Sequence, residues 1–138
     1  MNKTIRWGIL GCGKIANKFA ADLQMVSGST LHAVAARDLG RAKDFAKQHT
    51  AEKAYSNYST LVNDKDLDVI YVATTHNFHY EHTTLCLAGN KAVLCEKPIC
   101  VNAQEAQKLV ELSRKNNIFL MEAMWTRFFP AVIRLKKD

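Results

Sequence analysis

No stretch of this 138-residue chain approaches the roughly 18 apolar residues of a membrane span. The opening residues, Met1-Asn2-Lys3-Thr4, lead straight into an apolar segment, without the long apolar region and small-residue cleavage site of a signal peptide. A cytoplasmic location is therefore expected, with no membrane partner. Cys-x-x-Cys spacing is missing as well. The four cysteines, Cys12, Cys86, Cys95 and Cys100, lie singly in or beside apolar segments and read as free thiols of a reducing compartment. No long Lys/Arg block accompanies the formal net charge of +6, and the scattered bases argue against nucleic acid as a partner. Internal repeats, low-complexity segments and an H-E-x-x-H metal motif are also absent. What remains is 48% apolar and 23% charged, the composition of an ordinary globular domain.

The most informative stretch is Trp7-Gly8-Ile9-Leu10-Gly11-Cys12-Gly13-Lys14-Ile15-Ala16. The apolar run from Ile5 to Leu10 predicts a short buried strand. Ile15, Phe19 and Leu23 recur at i, i+4 and i+8, which predicts a helix with those residues on its buried stripe. Gly11, Gly13 and Ala16 lie between strand and helix at the spacing of the dinucleotide fingerprint, with Ala in the allowed third place. Gly11 permits the tight turn, Gly13 lets the backbone approach a pyrophosphate, and Ala16 lets the helix pack on the strand. Lys14 and Ile15 then stand at a helix N-terminus whose free N–H groups and positive dipole end suit phosphate. A mildly basic surface fits such a site.

Further along, Leu31 to Ala36 predicts a second strand, ending in Arg37-Asp38. An acidic residue there, about 20 residues beyond the glycines, ordinarily receives the ribose hydroxyls of NAD. Asp38 is equally suited to cap the next helix. Arg37 and Arg41 beside it favour a 2′-phosphate, which a planar guanidinium grips as a fork, so NADP is preferred over NAD. Arg41 to Gln48 reads as a helix with Ala42, Phe45 and Ala46 inward, Ala54-Tyr55 as a short extended piece, and Tyr58 to Asn63 as a brief helix. Leu67 to Ala73 predicts a strand, which ends in Thr74-Thr75-His76-Asn77-Phe78-His79. His76 and His79 suit hydrogen bonds to a cofactor ribose or a substrate, or plain packing at a helix start. With no cysteine or carboxylate at helpful spacing, no metal is expected. A helix to about Ala88 stops at Gly89-Asn90, and Lys91 to Cys95 predicts the next strand. It ends in Glu96-Lys97-Pro98, where Pro98 keeps Lys97 extended and makes the bond before it a candidate cis peptide. Asn102-Ala103-Gln104-Glu105 resembles a capping box and opens a helix with Ala106, Leu109 and Val110 inward. Ile118 to Met121 predicts the last strand. Strands alternating with helices imply an α/β domain with a doubly wound parallel sheet of the Rossmann type, in which ligands lie beyond the carboxyl ends of the strands. We place that domain at residues 1–122. Residues 123–138, rich in aromatics and opening a new helical pattern, read as the start of a second α+β domain whose remainder is absent from this sequence. On their own, Trp125, Phe128 and Phe129 expose apolar surface, a self-association hazard.

The segments Gly8 to Ala16, Thr74 to His79 and Glu96-Lys97-Pro98 together resemble the glucose-fructose oxidoreductase/inositol dehydrogenase (Gfo/Idh/MocA) family. Ala35 to Leu39, Val93 to Pro98 and Met121 to Pro130 resemble its dihydrodiol dehydrogenase branch, which includes NADP-dependent D-xylose dehydrogenase. The resemblance implies an NADP-dependent dehydrogenase acting on a sugar, polyol or trans-dihydrodiol, forming homo-oligomers through its second domain. It implies that Lys97 is half of a catalytic pair whose other half, a Tyr or a His with Asp, lies on that domain. Arg37 and Arg41 would hold the 2′-phosphate. Gly11, Gly13, Lys14, Ile15, Ala16, Asp38, Thr74, Thr75, His76, His79, Glu96 and Lys97 would surround the rest of the cofactor. Trp125, Arg127 and Phe128, with Lys97, would line the substrate pocket, the aromatics being equally suited to core packing against the second domain. Members commonly have Thr-Pro where this chain has Thr74-Thr75. Two alternatives stay open: a cofactor-binding sensor or interaction module without catalysis, and an NAD-linked inositol-type dehydrogenase with Asp38 on the ribose.

Overall fold

A computed structural model describes residues 3–137. Six strands, β1 (Ile5–Leu10), β2 (Ser29–Ala35), β3 (Lys53–Tyr55), β4 (Val69–Val72), β5 (Ala92–Glu96) and β6 (Leu120–Ala123), form one parallel sheet in the order β3-β2-β1-β4-β5-β6. The order reverses between β1 and β4, which opens a crevice at their carboxyl ends.

Helices cover both faces, which is why the strands read as near-continuous apolar runs. On one face Ile9, Val34 and Tyr71 pack under α1 (Lys14–Leu23) and α2 (Leu39–His49). On the other, Leu10, Ala35, Val72, Val93 and Cys95 pack with α3 (Tyr58–Val62), α4 (His79–Ala88) and α5 (Ala103–Asn116). Adjacent strand residues such as Ile9 and Leu10 thus belong to opposite core layers. Short polar side chains start three of the helices. Asp38 accepts from the Arg41 N–H at 2.8 Å, Asn57 from Thr60 at 3.1 Å and Asn102 from Glu105 at 2.9 Å. Each such cap contributes about 1 kcal/mol.

Several boundaries and faces depart from the sequence expectations. The buried stripe of α1 is Ala16, Ala20 and Leu23, whereas Ile15 is 43% exposed. Alanines bring the helix close to the sheet, and Ile15, about 100° round the axis from Ala16, then faces outward. Val110, expected inside, is 37% exposed, because α5 turns Leu109 to the core. β4 is shorter than the expected Leu67–Ala73. β6 begins at Leu120 rather than Ile118, because Ile118 is held in the turn after α5 by hydrogen bonds with Ser113. It runs on through Ala123, one residue past the expected domain boundary. After it come a 3-10 turn (Trp125–Phe128) and a short helix, α6 (Pro130–Leu135), with Trp125 and Phe128 more than half exposed. Among the described residues no helix is long and apolar enough to cross a membrane.

Candidate functional site

The register sets Leu10 beside Ala35 of β2 and Val72 of β4, and Val72 beside Cys95 of β5. The segments starting at Gly11, Ala36, Ala73 and Glu96 therefore leave the sheet side by side. Gly11 has φ of +99°, and its N–H donates to the Ala35 carbonyl at 2.9 Å. A Cβ there would lie 2.9 Å from the Thr74 methyl and 3.1 Å from the Ala73 backbone, so both conformation and space demand glycine.

Gly13 is different. Its backbone is extended, with φ of −92°, and a Cβ would meet no protein atom within 4 Å. Nothing inside the fold requires glycine there. The open space lies over the start of α1, which has no side-chain cap and no acidic residue in its first turn. Its leading N–H groups are left to bind something else.

A crevice of about 490 Å³ runs from this turn. It brings together Gly11, Gly13, Arg37, Asp38, Arg41, Thr74 and Thr75 of the expected set. The Arg41 guanidinium donates to the Cys12 carbonyl at 3.1 Å, which anchors it across the glycine turn. Arg37 is exposed, and neither arginine forms an ion pair among the described residues. Asp38 does cap α2 through one carboxylate oxygen, leaving the other at the rim.

The crevice also has walls that the sequence reading missed, namely Tyr58, Phe78, Glu81 and His82. Phe78 stacks on the His82 ring at 5.6 Å, and Tyr58 meets the same ring edge-on at 4.8 Å. Phe78 and His82 stand four apart, a spacing that puts them on one helix face and was readable as a pair. Tyr58 arrives from a separate helix and carried no local signal. Burial raises the Tyr58 hydroxyl pKa, with Arg37 and Arg41 opposing the shift. Burial lowers the His82 pKa, so the ring favours its neutral form, and its Nδ1 lies 2.8 Å from the Thr74 hydroxyl. The Cys12 thiol, buried against the Ala35 carbonyl, is pushed up to about 11, the nearby Arg41 charge offsetting part of the rise. It is a poor candidate for a reactive thiolate.

Other expected residues sit outside the crevice lining. Ala16 is fully buried where α1 meets the sheet, and Lys14 and Ile15 are exposed on the helix's first turn. His76 is exposed in a 3-10 turn (His76–Phe78), whereas His79 is buried with each ring nitrogen facing a backbone carbonyl. The two histidines do not converge. Glu96 is buried, accepting from the Tyr71 hydroxyl at 2.7 Å and the Lys97 N–H at 2.9 Å. Lys97 is exposed at the carboxyl end of β5, and the Lys97–Pro98 bond is cis, as the sequence suggested. Trp125, Arg127 and Phe128 lie exposed beyond β6. The described residues do bring His32, Asp64 and Asp66 together in metal-ligand fashion, away from the crevice. The Lys53 ammonium bonds both carboxylates at 3.2 Å, and the Arg6 guanidinium pairs with Asp66 at the same distance.

Residues 5–124 match the model of the oxidoreductase family with an NAD-binding Rossmann fold, GFO_IDH_MocA. The chain is 49% identical over 134 residues to the trans-1,2-dihydrobenzene-1,2-diol dehydrogenase of Bos taurus, and 50% identical over 129 residues to that of Homo sapiens. These alignments cover 96% and 92% of this chain, but the chain spans only 40% and 39% of those relatives. Among solved structures, an NAD-binding oxidoreductase from Klebsiella pneumoniae superposes with a TM-score of 0.91 at 29% identity, over 96% of this chain and 38% of that one. A 3-ketoreductase from Actinomadura kijaniata, crystallised with NADP and TDP-benzene, superposes with a TM-score of 0.92 at 28% identity, over 98% of this chain and 42% of that one. The glycine turn at a sheet switch point and the extent of these matches agree: the chain belongs to the Gfo/Idh/MocA oxidoreductase family.

Proposed function

We propose that this chain is the cofactor-binding half of an NADP-dependent dehydrogenase that moves a hydride between the nicotinamide and a carbinol carbon of a sugar, polyol or trans-dihydrodiol. The observation that carries this reading is Gly13. The fold does not need glycine there, yet the missing side chain leaves open space above an uncapped helix N-terminus, facing Arg37 and Arg41 across the crevice. That donor set fits a pyrophosphate on the α1 N–H groups and a 2′-phosphate on the two guanidiniums. The trans-dihydrobenzenediol dehydrogenases among the relatives support the diol substrate class, and the NADP of the Actinomadura structure supports the cofactor.

When bound, the nicotinamide supplies or takes up the hydride. The chain's own part is to hold the dinucleotide and to place Lys97 at the reacting oxygen. There the Lys97 amine polarises the substrate oxygen or relays the proton lost by the hydroxyl. Its partner in that relay belongs to a second domain, for which we propose the segment after β6 as the start. The exposed Trp125, Phe128 and Phe129, with the apolar groove of Trp7, Leu94 and Met121, offer that domain a surface. Homo-oligomer formation through the second domain is part of the same proposal. Asp38 uses one oxygen for the α2 cap, and the preference for NADP over NAD rests on Arg37 and Arg41.

The test is a calorimetric titration of the chain with NADPH and with NADH, for wild type and Arg37→Ala. Charge-assisted hydrogen bonds to a phosphate are each worth about 1.5–3 kcal/mol, or roughly 10–100-fold in affinity. NADPH is expected to bind more tightly by that margin, and Arg37→Ala to erase the difference. Equal binding of the two would return the preference to Asp38 and NAD. A folded chain that binds neither would overturn the cofactor reading.

A further inference from the structure

The turn carrying Lys97 is held in an unusual way. Pro98 has no N–H, so Lys97 to Ile99 cannot continue a strand ladder. Instead, three successive backbone groups are each bound by a side chain from a different element. The Lys97 N–H donates to Glu96 Oε2 of β5 at 2.9 Å. The Pro98 carbonyl lies 2.6 Å from His79 Nδ1 of α4. The Ile99 N–H donates to Glu122 Oε1 of β6 at 2.9 Å. Each clamp has a second anchor or a fixed base. The other Glu96 oxygen accepts from the Tyr71 hydroxyl of β4 at 2.7 Å, and the Tyr71 ring stacks on Phe19 of α1 at 3.9 Å. The far nitrogen of His79 lies 2.9 Å from the Thr74 carbonyl, on the crevice rim. Glu122 pairs in register with Cys95, which sets its carboxylate beside the turn.

We propose that Glu122 and His79, together with Glu96, are positioning residues that lock the Lys97–Ile99 backbone and tie it to the Thr74 edge of the crevice. The purpose assigned to the lock, holding the Lys97 amine beside the cofactor, rests on the function proposed above; the lock itself does not. The physical reason is loop entropy. A turn outside any ladder samples many conformations, and three side-chain bonds, two of them to carboxylates, offset the entropy lost in fixing one of them. His79 also stands between the Lys97 turn and Thr74, with one ring nitrogen toward each carbonyl. Glu122 carries a role of its own, because it sits two strands away from the crevice and touches none of its lining residues by hydrogen bond.

The experiment is amide hydrogen exchange by NMR on wild type, Glu122→Ala and Glu122→Gln, with core amides of β1 and β4 as the reference for global opening. The Lys97 and Ile99 amides are expected to be protected in the wild type. In Glu122→Ala both should exchange at least tenfold faster while the core amides stay within threefold. In Glu122→Gln, whose amide oxygen still accepts, both should return to within about threefold of wild type. A simple packing role would move the core amides with the turn and would not be rescued selectively by Gln. Free exchange of Ile99 in the wild type, or a Lys97 amide indifferent to Glu122→Ala, would overturn the proposal. Shielding of the Lys97 amine from acylation by NADPH, read by mass spectrometry, is the second arm. It should be several-fold in wild type and largely lost in Glu122→Ala at saturating NADPH. Lost shielding with intact NADPH binding supports the positioning role, and unchanged shielding removes it. If NADPH does not bind the wild type, the function reading falls and the exchange data still decide the lock.

Discussion

The two ends of the sheet treat their polar groups in opposite ways. At and near the amino ends of the strands, charges are paired or bonded inside the fold. Lys3 and Arg6 bond Asp68 at 2.6 and 3.4 Å, and Lys53 bonds Asp64 and Asp66 at 3.2 Å. The buried Lys91 ammonium, its pKa lowered by burial, donates to the Asp64 and Leu67 carbonyls at 2.6 and 3.0 Å. At the carboxyl ends, Arg37 and Lys97 have no ion pair among the described residues, and α1 begins without a cap. Of the acidic groups there, Glu96 is bonded to Tyr71 and Asp38 to the α2 backbone, while Glu81 stays exposed on the crevice wall. A protein gains stability by satisfying its polar groups. An end that leaves cations and helix N–H groups unsatisfied is suited to an anion, so the first end holds the fold and the second, on the function proposed above, takes the ligand.

The largest expected effect comes from the one place where both demands meet. Gly11→Ala forces a left-handed φ on alanine and drives a Cβ against the Ala73 backbone and the Thr74 methyl. Strain of this kind and overpacking each cost about 1–3 kcal/mol, so denaturant unfolding should show a loss of about 3 kcal/mol. A loss under 1 kcal/mol would mean that the turn relaxes and that the crevice end is softer than described. At the other end, Asp64→Ala strips the partner from the Tyr55 hydroxyl at 2.9 Å and the Asp66 N–H at 2.9 Å. Lost hydrogen bonds to a buried carboxylate predict about 2 kcal/mol of destabilisation, with NADPH affinity of the folded protein unchanged. A parallel fall in affinity would break the separation of the two ends.

Gly13→Ser sharpens the same contrast. Serine is a better N-cap than glycine by a few tenths of a kcal/mol, and the backbone at φ of −92° accepts it. Unfolding should therefore shift by no more than that, while the side chain fills the space over α1 and occupies its N–H groups. NADPH affinity is expected to fall at least tenfold in calorimetry. A variant that is as stable and binds as well would remove the main support for a phosphate at this helix.

The crevice end was the more legible in sequence, for a physical reason. Strand, glycine turn, helix and cap are local patterns, so Ile5–Leu10, Gly11, Gly13, Asp38 and Asn102 could be placed from their neighbours. The resemblance carried by Glu96-Lys97-Pro98 then located Lys97. What stayed hidden depends on contacts distant in sequence. Tyr58 reaches the crevice from α3, and Glu122 reaches the Lys97 turn from β6, 23 residues from its partner Ile99. The α1 stripe was misread because Ile15 outranks Ala16 in hydrophobicity. Close helix–sheet packing favoured the smaller residue. The ion network of Lys3, Arg6, Lys53, Asp64, Asp66 and Asp68 has no signature at all in single-residue spacing, since partners such as Arg6 and Asp68 lie 62 positions apart.

The smallest effect is a pH dependence at the amino end. Asp68 accepts from the Lys3 ammonium, the Arg6 N–H and the Arg6 guanidinium, which together outweigh its partial burial and hold its carboxyl down to about 2. A carboxyl whose pKa is depressed by folding contributes stability that is fully present above its unfolded value near 3.9 and is lost as pH falls towards the folded value. Stability should thus decline between about pH 4 and pH 2. Asp68→Asn should flatten that decline, because an amide cannot take up the proton. Lys3 is largely exposed, so much of the attraction is screened by water and salt, and added salt should shrink the difference between wild type and variant. Urea unfolding of both proteins across this window, at low and high salt, measures it. An equally steep decline in Asp68→Asn would move the acid sensitivity to Asp64, whose carboxyl is also held low by Asp66, Tyr55 and Lys53, and the order of importance within the amino-end network would be reversed.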